Sequence, residues 1–297
     1  MEQALKKQRF GVRKIEDIWT VGKVINWTQG YLKKKGLDNP RNTTEKLMEM
    51  TLDMDKTHLY INWKKDMEPK QLSTFKQLLN RVVEGEPVAY ITGVERFFSY
   101  EFLVNKDVLI PRQETEELVE WVVKDNRDKK DLTIADIGTG SGVIAITLAK
   151  LLPDVKLIAT DTQQACLDVA VQNAQKHSVE DRIGFLKGSL LEPLRGYLRE
   201  IDVIVANPPY ISKQDMDRMD ASVINHEPHH ALFADNDGLA FYQAIAKNLD
   251  VLKGKTLYLE TGFNQKEALE ALFGDKIEEY RKDMNGNWRL LKLKISP

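Results

Sequence analysis

The chain has 297 residues, 42% of them hydrophobic and 30% charged, a size that suits one large domain and a smaller one. Its 43 Lys and Arg nearly cancel 45 Asp and Glu, and the formal net charge of −2 argues against a protein that holds long nucleic acids through their phosphates. Cys166 is the single cysteine, which excludes an internal disulfide and leads us to expect a reducing compartment. Residues 1–14 are basic and polar without a signal-like apolar stretch, and no run approaches the ~20 apolar residues that span a bilayer, so a cytoplasmic protein is expected.

The first ~85 residues carry helical periodicity. Val21, Val24, Ile25, Thr28 and Leu32 recur on one face, and Gly36 is placed to end that helix. Asn39-Pro40 then supplies an N-cap with proline at the first helical position, ahead of an apolar stripe of Leu47, Met50, Thr51 and Met54. A further helix from about Pro69 turns Leu72, Phe75, Leu78, Leu79 and Val82 inward until Gly85 and Pro87 stop it. Nothing in this helical domain, residues 1–87, has the look of a catalytic group, and a role in recognising a partner is expected of it.

Residues 88–112 read as extended structure. Two runs rich in β-branched and aromatic residues, 94–98 and 102–104, flank Ser99-Tyr100 and predict a β-hairpin linking two domains. From about Glu114 strands and helices alternate. Residues 133–136, 156–161, 182–186, 201–206 and 256–260 are apolar runs of strand length, separated by amphipathic stretches at 142–152, 164–177 and 239–252. The pattern predicts an α/β domain over residues 113–297, a mostly parallel sheet with helices on both faces.

Asp136-Ile137-Gly138-Thr139-Gly140-Ser141-Gly142 follows a predicted strand and opens a predicted helix, where glycines permit a tight turn and close approach of a ligand. The third glycine comes one residue earlier than in the dinucleotide pattern G-x-G-x-x-G. Asp136, placed before the turn, would repel a pyrophosphate and attract an amino acid's ammonium group. Both points favour S-adenosylmethionine over NAD. Asp161, at the end of the next strand, is placed to accept from ribose hydroxyls, and Ser189 to border an adenine. As a bland alternative, Asp161 caps the helix that follows.

Asn207-Pro208-Pro209-Tyr210 follows the apolar strand 201–206. The prolines remove two N–H donors and hold an extended loop, so the Asn207 oxygen and the Pro208 carbonyl are available as acceptors. Two such acceptors suit a planar NH2 group: they hold both hydrogens and aim the nitrogen face at a sulfonium methyl, with Tyr210 as an apolar wall. Asn207 also adjoins the cofactor. The cluster His226-Glu227-Pro228-His229-His230 is a weak metal candidate because Pro228 breaks any helix that would align its ligands. Cys166 lacks a partnering base, and Glu114, Glu116 and Glu117 complement a helix N-terminus.

The glycine loop and Asn207-Pro208-Pro209-Tyr210 together resemble the class I methyltransferases that act on planar amino or amide nitrogens. Within these, the chain resembles the release-factor glutamine N5-methyltransferases. The likeness is carried by Pro87-Val88-Ala89-Tyr90-Ile91-Thr92-Gly93 with Phe97 and Phe98, by Val108-Leu109-Ile110-Pro111-Arg112-Gln113-Glu114-Thr115-Glu116, by Glu227-Pro228 with Ala231-Leu232, and by Asp237-Gly238-Leu239. It implies a Rossmann-like domain, S-adenosylmethionine as methyl donor, and methylation of the Gly-Gly-Gln glutamine of class I peptide chain release factors, held in part by the helical domain. The sequence departs from the family at Gln113, usually proline, at Ser189, near which an acidic residue is usual, and at Thr261, usually aliphatic. A DNA adenine or RNA guanine methyltransferase is the main competing reading, since the acceptor motif suits those amines too; a scaffold that kept the fold and lost the chemistry is a third.

Overall fold

A computed structural model describes residues 18–297; the basic segment 1–14 lies outside the described residues. The chain divides into two units, one ending at Thr92 and the other running Gly93–Pro297.

The first unit is helical, with α1 (Val21–Lys34), α2 (Pro40–Leu52), α3 (Lys56–Ile61), α4 (Pro69–Val83) and α5 (Val88–Thr92). Val24, Ile25, Leu32, Leu47, Met48, Leu59, Phe75 and Leu79 form its core. The expected faces of α1 and α4 are the buried ones, except that Leu72 is only half-buried. The expected stripe of α2 is only partly right: Leu47 is buried, but Met50 is exposed, and the helix buries Thr43, Thr44, Glu45 and Met48 beside Leu47. Its phase is set by a buried carboxylate, because Glu45 accepts from Arg41 at 2.9 Å and Tyr60 at 2.5 Å and pairs with Lys56 at 2.6 Å. Burial alone would raise the Glu45 carboxyl, but these bonds outweigh it and bring it down to about 2. Residues 88–92, expected extended, form the short helix α5, whose Thr92 hydroxyl returns to the Val88 carbonyl at 3.0 Å.

The second unit opens with the hairpin of β1 (Val94–Phe97) and β2 (Tyr100–Leu103). Its turn is Phe98-Ser99, one residue earlier than expected, with Phe98 in the left-handed region at φ 54°. Next come α6 (Gln113–Asn126), β3 (Thr133–Ile137), α7 (Val143–Leu151), β4 (Lys156–Asp161), α8 (Gln164–Lys176), β5 (Ile183–Lys187) and β6 (Val203–Ala206). A small pair, β7 (Ile211–Ser212) and β8 (Phe233–Ala234), brackets α9 (Ala221–His226) and α10 (His229–Leu232). The unit ends with α11 (Ala240–Ala246), β9 (Thr256–Glu260), α12 (Lys266–Phe273), β10 (Ile277–Lys282) and β11 (Trp288–Lys294).

Seven strands form one sheet in the order β10-β11-β9-β6-β3-β4-β5. The five from β9 to β5 are parallel, as expected, and β11 and β10 add an antiparallel edge that the sequence reading did not foresee. Alternation along each strand feeds two cores. Ile134, Val203, Val205 and Tyr258 face Leu118, Trp121 and Ile146, with Phe97 and Phe102 of the hairpin; Ala135, Ile204, Leu257 and Leu259 face Tyr242, Ile245, Leu269 and Phe273. The chain steps from β3 to β4 on one side, while β6 lies on the other, so a crevice opens at the carboxyl ends of β3, β4 and β6. Among the described residues no helix is long and apolar enough to cross a membrane.

Candidate active site

The crevice is a cavity of about 480 Å3, within the range of roughly 300–1,000 Å3 usual for small-ligand sites. The three sequence motifs meet in it: Gly138, Thr139, Gly140 and Ser141 after β3, Asp161 after β4, and Asn207, Pro208 and Pro209 after β6. Ser189, exposed in the loop after β5, lines it too, as do Pro111, Arg112 and Thr115.

The glycine loop is folded inward on its own bonds. The N–H groups of Gly138 and Thr139 both donate to the Thr160 carbonyl at 2.9 Å, that of Gly142 to Thr139 at 2.8 Å, and that of Gly140 to Asp161 Oδ2 at 3.0 Å. A phosphate cradle needs such donors pointing at the ligand, so this loop is poorly equipped for a pyrophosphate. Gly138 and Gly140 nevertheless leave open space where a Cβ would stand. Gly142 serves packing: it is the left-handed N-cap of α7, and a Cβ there would lie 2.9 Å from Ile146 and 3.1 Å from the Ala170 Cβ of α8.

Asp136 is fully buried and does not line the cavity. Its Oδ2 accepts from the Thr139 hydroxyl at 2.6 Å and the Ala145 N–H at 3.2 Å, while its Oδ1 has no hydrogen-bond partner. Burial pushes its carboxyl up to about 7, against the pull of those two bonds, with Asp161 adding to the rise. Asp161 accepts from Gln163 N at 2.9 Å through Oδ1 in the turn before α8, but it does not cap that helix, whose N-cap is Gln163 without a side-chain cap, and Asp161 lines the cavity. Asp161 in the lining, with the unpartnered Asp136 Oδ1 behind it, favours a cationic ligand. An adenosine carrying a sulfonium and an ammonium group fits this arrangement: open space over the glycines, an orphaned buried oxygen beneath them, and a carboxylate in the lining.

The acceptor loop is held from below. Asn207 donates its Nδ2 to Thr115 Oγ1 at 2.9 Å, and Thr115 donates in turn to Glu260 Oε2 at 2.7 Å. Among the described residues nothing donates to the Asn207 side-chain oxygen or to the Pro208 carbonyl. Tyr210 does not line the cavity. Its hydroxyl donates to Glu260 Oε1 at 3.0 Å, and the Arg289 guanidinium sits 5.7 Å from its ring centre. Burial lifts both the Tyr210 phenol and the Glu260 carboxyl above their usual ranges. Thr115, Glu260 and Arg289 are the members of this cluster that sequence reasoning did not assign to the site. The available signal was that Glu260, like Asp161, is a charged residue closing an otherwise apolar strand.

Neighbouring segments shape the rim. Glu227 is buried, pairs with Arg112 and accepts from Ile110 N at 3.3 Å, clipping the two segments together. His229 bonds the Ile224 carbonyl at 2.8 Å, whereas His230 lines the cavity with its Nε2 3.9 Å from Cys166 Sγ. Cys166 is buried on α8, and burial pushes its thiol up to about 12. Thr261, where an aliphatic residue was expected by resemblance, is buried with its hydroxyl 2.7 Å from that of Tyr280.

The family model of the PrmC N-terminal domain matches residues 23–93, and that of the methyltransferase small domain matches residues 114–238. The chain is 37% identical over 259 residues to the release factor glutamine methyltransferase of Geobacter sulfurreducens, covering 86% of this chain and 89% of that one. It is 39% identical over 268 residues to the protein of the same name from Staphylococcus aureus, covering 88% and 94%. Among solved structures, the hMettl16 catalytic domain bound to a MAT2A 3′UTR hairpin has a TM-score of 0.54 at 18% identity, covering 77% of this chain and 81% of that one, a likeness of fold alone. Relatives of this identity and coverage place the chain in the release factor glutamine methyltransferase family.

Proposed function

We propose that the chain transfers a methyl group from S-adenosylmethionine to the side-chain amide nitrogen N5 of the glutamine in the Gly-Gly-Gln motif of class I peptide chain release factors. The observation that carries this reading is the state of Asn207: its amide N–H is engaged by Thr115, so its oxygen and the adjacent Pro208 carbonyl remain as two acceptors beside the cavity. A primary amide offers two N–H donors, and a pair of fixed acceptors holds both.

The cofactor supplies an electrophilic methyl group on a sulfonium. Asp161 would hold its ribose, the backbone of Gly138, Thr139, Gly140 and Ser141 would pass beneath it, Ser189 would border the adenine, and Asp136 would favour its positive end from below. Gly142 keeps the loop seated on α8. The chain's own contribution to chemistry is positioning in a water-poor pocket, because an amide nitrogen is a weak nucleophile with a delocalised lone pair. Positive charge grows on that nitrogen during transfer, and the two acceptors stabilise it through the N–H bonds. The proton then leaves the methylated, more acidic nitrogen to water. Pro209 keeps the loop extended, and Tyr210, outside the cavity lining and so no wall to it, anchors the end of the loop on Glu260. The helical domain 1–87 and the hairpin segment 88–112 are assigned to holding the protein substrate in the cytoplasm, leaving chemistry to residues 113–297.

The test is incubation with labelled S-adenosylmethionine and either purified release factor or nucleic acid, followed by mass mapping of the modified residue. Label on the Gly-Gly-Gln glutamine is expected. Asn207→Ala should lower turnover on the order of 10²–10³-fold, the scale for losing one preorganised polar contact, while cofactor affinity changes far less. Near-normal turnover in that variant would show that the acceptor site is wrongly assigned.

A further inference from the structure

Glu260 is an acidic side chain with almost no solvent contact, and both its oxygens are committed to hydroxyl groups of the acceptor site. A carboxylate only accepts hydrogen bonds, so its two partners must point their hydrogens at it. The Thr115 hydroxyl has one hydrogen, and Glu260 Oε2 receives it at 2.7 Å. Toward Asn207 that hydroxyl can therefore only accept, and it faces the Asn207 Nδ2 at 2.9 Å. The Asn207 oxygen is thereby turned away from Thr115. On the other side the Tyr210 hydroxyl gives its hydrogen to Glu260 Oε1 and accepts from Arg289 at 3.4 Å, so the guanidinium supports the carboxylate's charge through the phenol. The chain of donors has one direction throughout.

We propose that Glu260 is a positioning residue for methyl transfer, which fixes the face of the Asn207 amide through the Thr115 hydroxyl and the place of Tyr210 through its phenol. The inference rests on the reading of Asn207 as the acceptor for the substrate amide. Without the relay the Thr115 hydroxyl is free to donate to the Asn207 oxygen, and the amide turns over. A turned amide presents N–H groups to the N–H groups of the substrate, which removes one acceptor and sets donors against donors. Glu260 sits 145 residues from Thr115 in sequence and does not itself line the cavity; it acts only through the two hydroxyls.

The test uses the full-length chain and compares Thr115→Val, Thr115→Ser, Glu260→Gln and Asn207→Ala, measuring kcat and KM on release factor, cofactor Kd by calorimetry, and thermal unfolding. Thr115→Val keeps the shape and removes the relay, so kcat should fall roughly 10–100-fold while KM and cofactor Kd stay within about threefold. Thr115→Ser keeps the hydroxyl and should restore kcat to within about threefold of the parent. Glu260→Gln places an N–H where an acceptor is required and should lower kcat as Thr115→Val does; if it fails to fold, the Thr115 pair carries the test alone. A Thr115→Val variant with parental kcat, or a Thr115→Ser variant as slow as Thr115→Val, overturns the relay while an impaired Asn207→Ala leaves the acceptor site standing. Parental turnover in Asn207→Ala overturns both.

Discussion

Replacing Gly238 by alanine would add one methyl group where two backbone segments cross beside the acceptor loop. A Cβ at that position would lie 2.1 Å from the Tyr210 carbonyl oxygen and 2.7 Å from Gln265 Nε2. Gln265 Nε2 itself donates to the Tyr210 carbonyl at 2.9 Å, so the methyl group would drive apart a bond that pins the loop. Gly238 also has φ +81°, which costs an L-residue about 1–2 kcal/mol. To this are added about 1 kcal/mol for the lost hydrogen bond and about 1–3 kcal/mol for the forced backbone shift. The total is about 3–6 kcal/mol, or about 6–24 °C in Tm for a unit of this size. Gly254 provides the control: it has the same φ of +81° and open space where a Cβ would stand, so Gly254→Ala should lose only the conformational part, about 1–2 kcal/mol. Thermal unfolding of both variants checks the difference. Turnover on release factor should also fall roughly tenfold or more in Gly238→Ala, since the displaced loop carries Asn207, and should hold in Gly254→Ala. Equal losses of stability in the two variants would refute the argument that close approach is what position 238 demands.

Asp161→Ala should weaken cofactor binding by about 1–3 kcal/mol, measured by calorimetry, and unchanged affinity would remove Asp161 from the site. The Asp136 carboxyl, lifted to about 7 from its usual 3.8, should make the ligand-free chain lose stability as pH rises from 3.8 to about 7, where the unfolded chain releases the proton that the folded chain retains. A cationic cofactor favours the ionised form, so its binding should tighten as pH rises toward 7, with release of a proton, and level off above it; calorimetry in two buffers detects this, and Asp136→Asn should abolish both dependences. A chain beginning at Pro87 should bind cofactor normally but methylate release factor poorly, and full activity from it would sink the assignment of recognition to the helical domain.

The parallel strands were legible because burial on both faces writes them as unbroken apolar runs, ending in Asp161 or Glu260 where the sheet meets the crevice. The edge strands β10 and β11 were not, since Glu278, Glu279, Arg281 and Lys282 mix charge into β10 as a solvated surface would. Helix α3 has six residues, too few for periodicity, and its one signal was Asp55, which accepts from His58 N at 2.8 Å as an N-cap. The phase of α2 was hidden because it depends on Lys56 and Tyr60, which reach Glu45 from another helix. At the site, the glycine loop and the Asn207 loop were legible as local motifs whose chemistry lies in consecutive residues. Thr115, Glu260 and Arg289 were not, because only the folded sheet brings α6, β9 and β11 to one edge.

Asn173 on α8 is completely buried, and its one amide accepts from Leu103 N at 2.7 Å, donates to the Leu103 carbonyl at 2.9 Å and donates to the Ser141 carbonyl at 2.8 Å. The hairpin and the glycine loop are thus tied to the same planar group. No other side chain of that size offers one acceptor and two donors in that geometry; aspartate lacks the donors and leucine lacks all three. A lineage that loses asparagine here must therefore rebuild the hairpin end and the loop together, or cross an intermediate with buried backbone groups left unpaired. Position 173 is accordingly where drift in this fold would be recorded as linked change at sites 32 and 70 residues away.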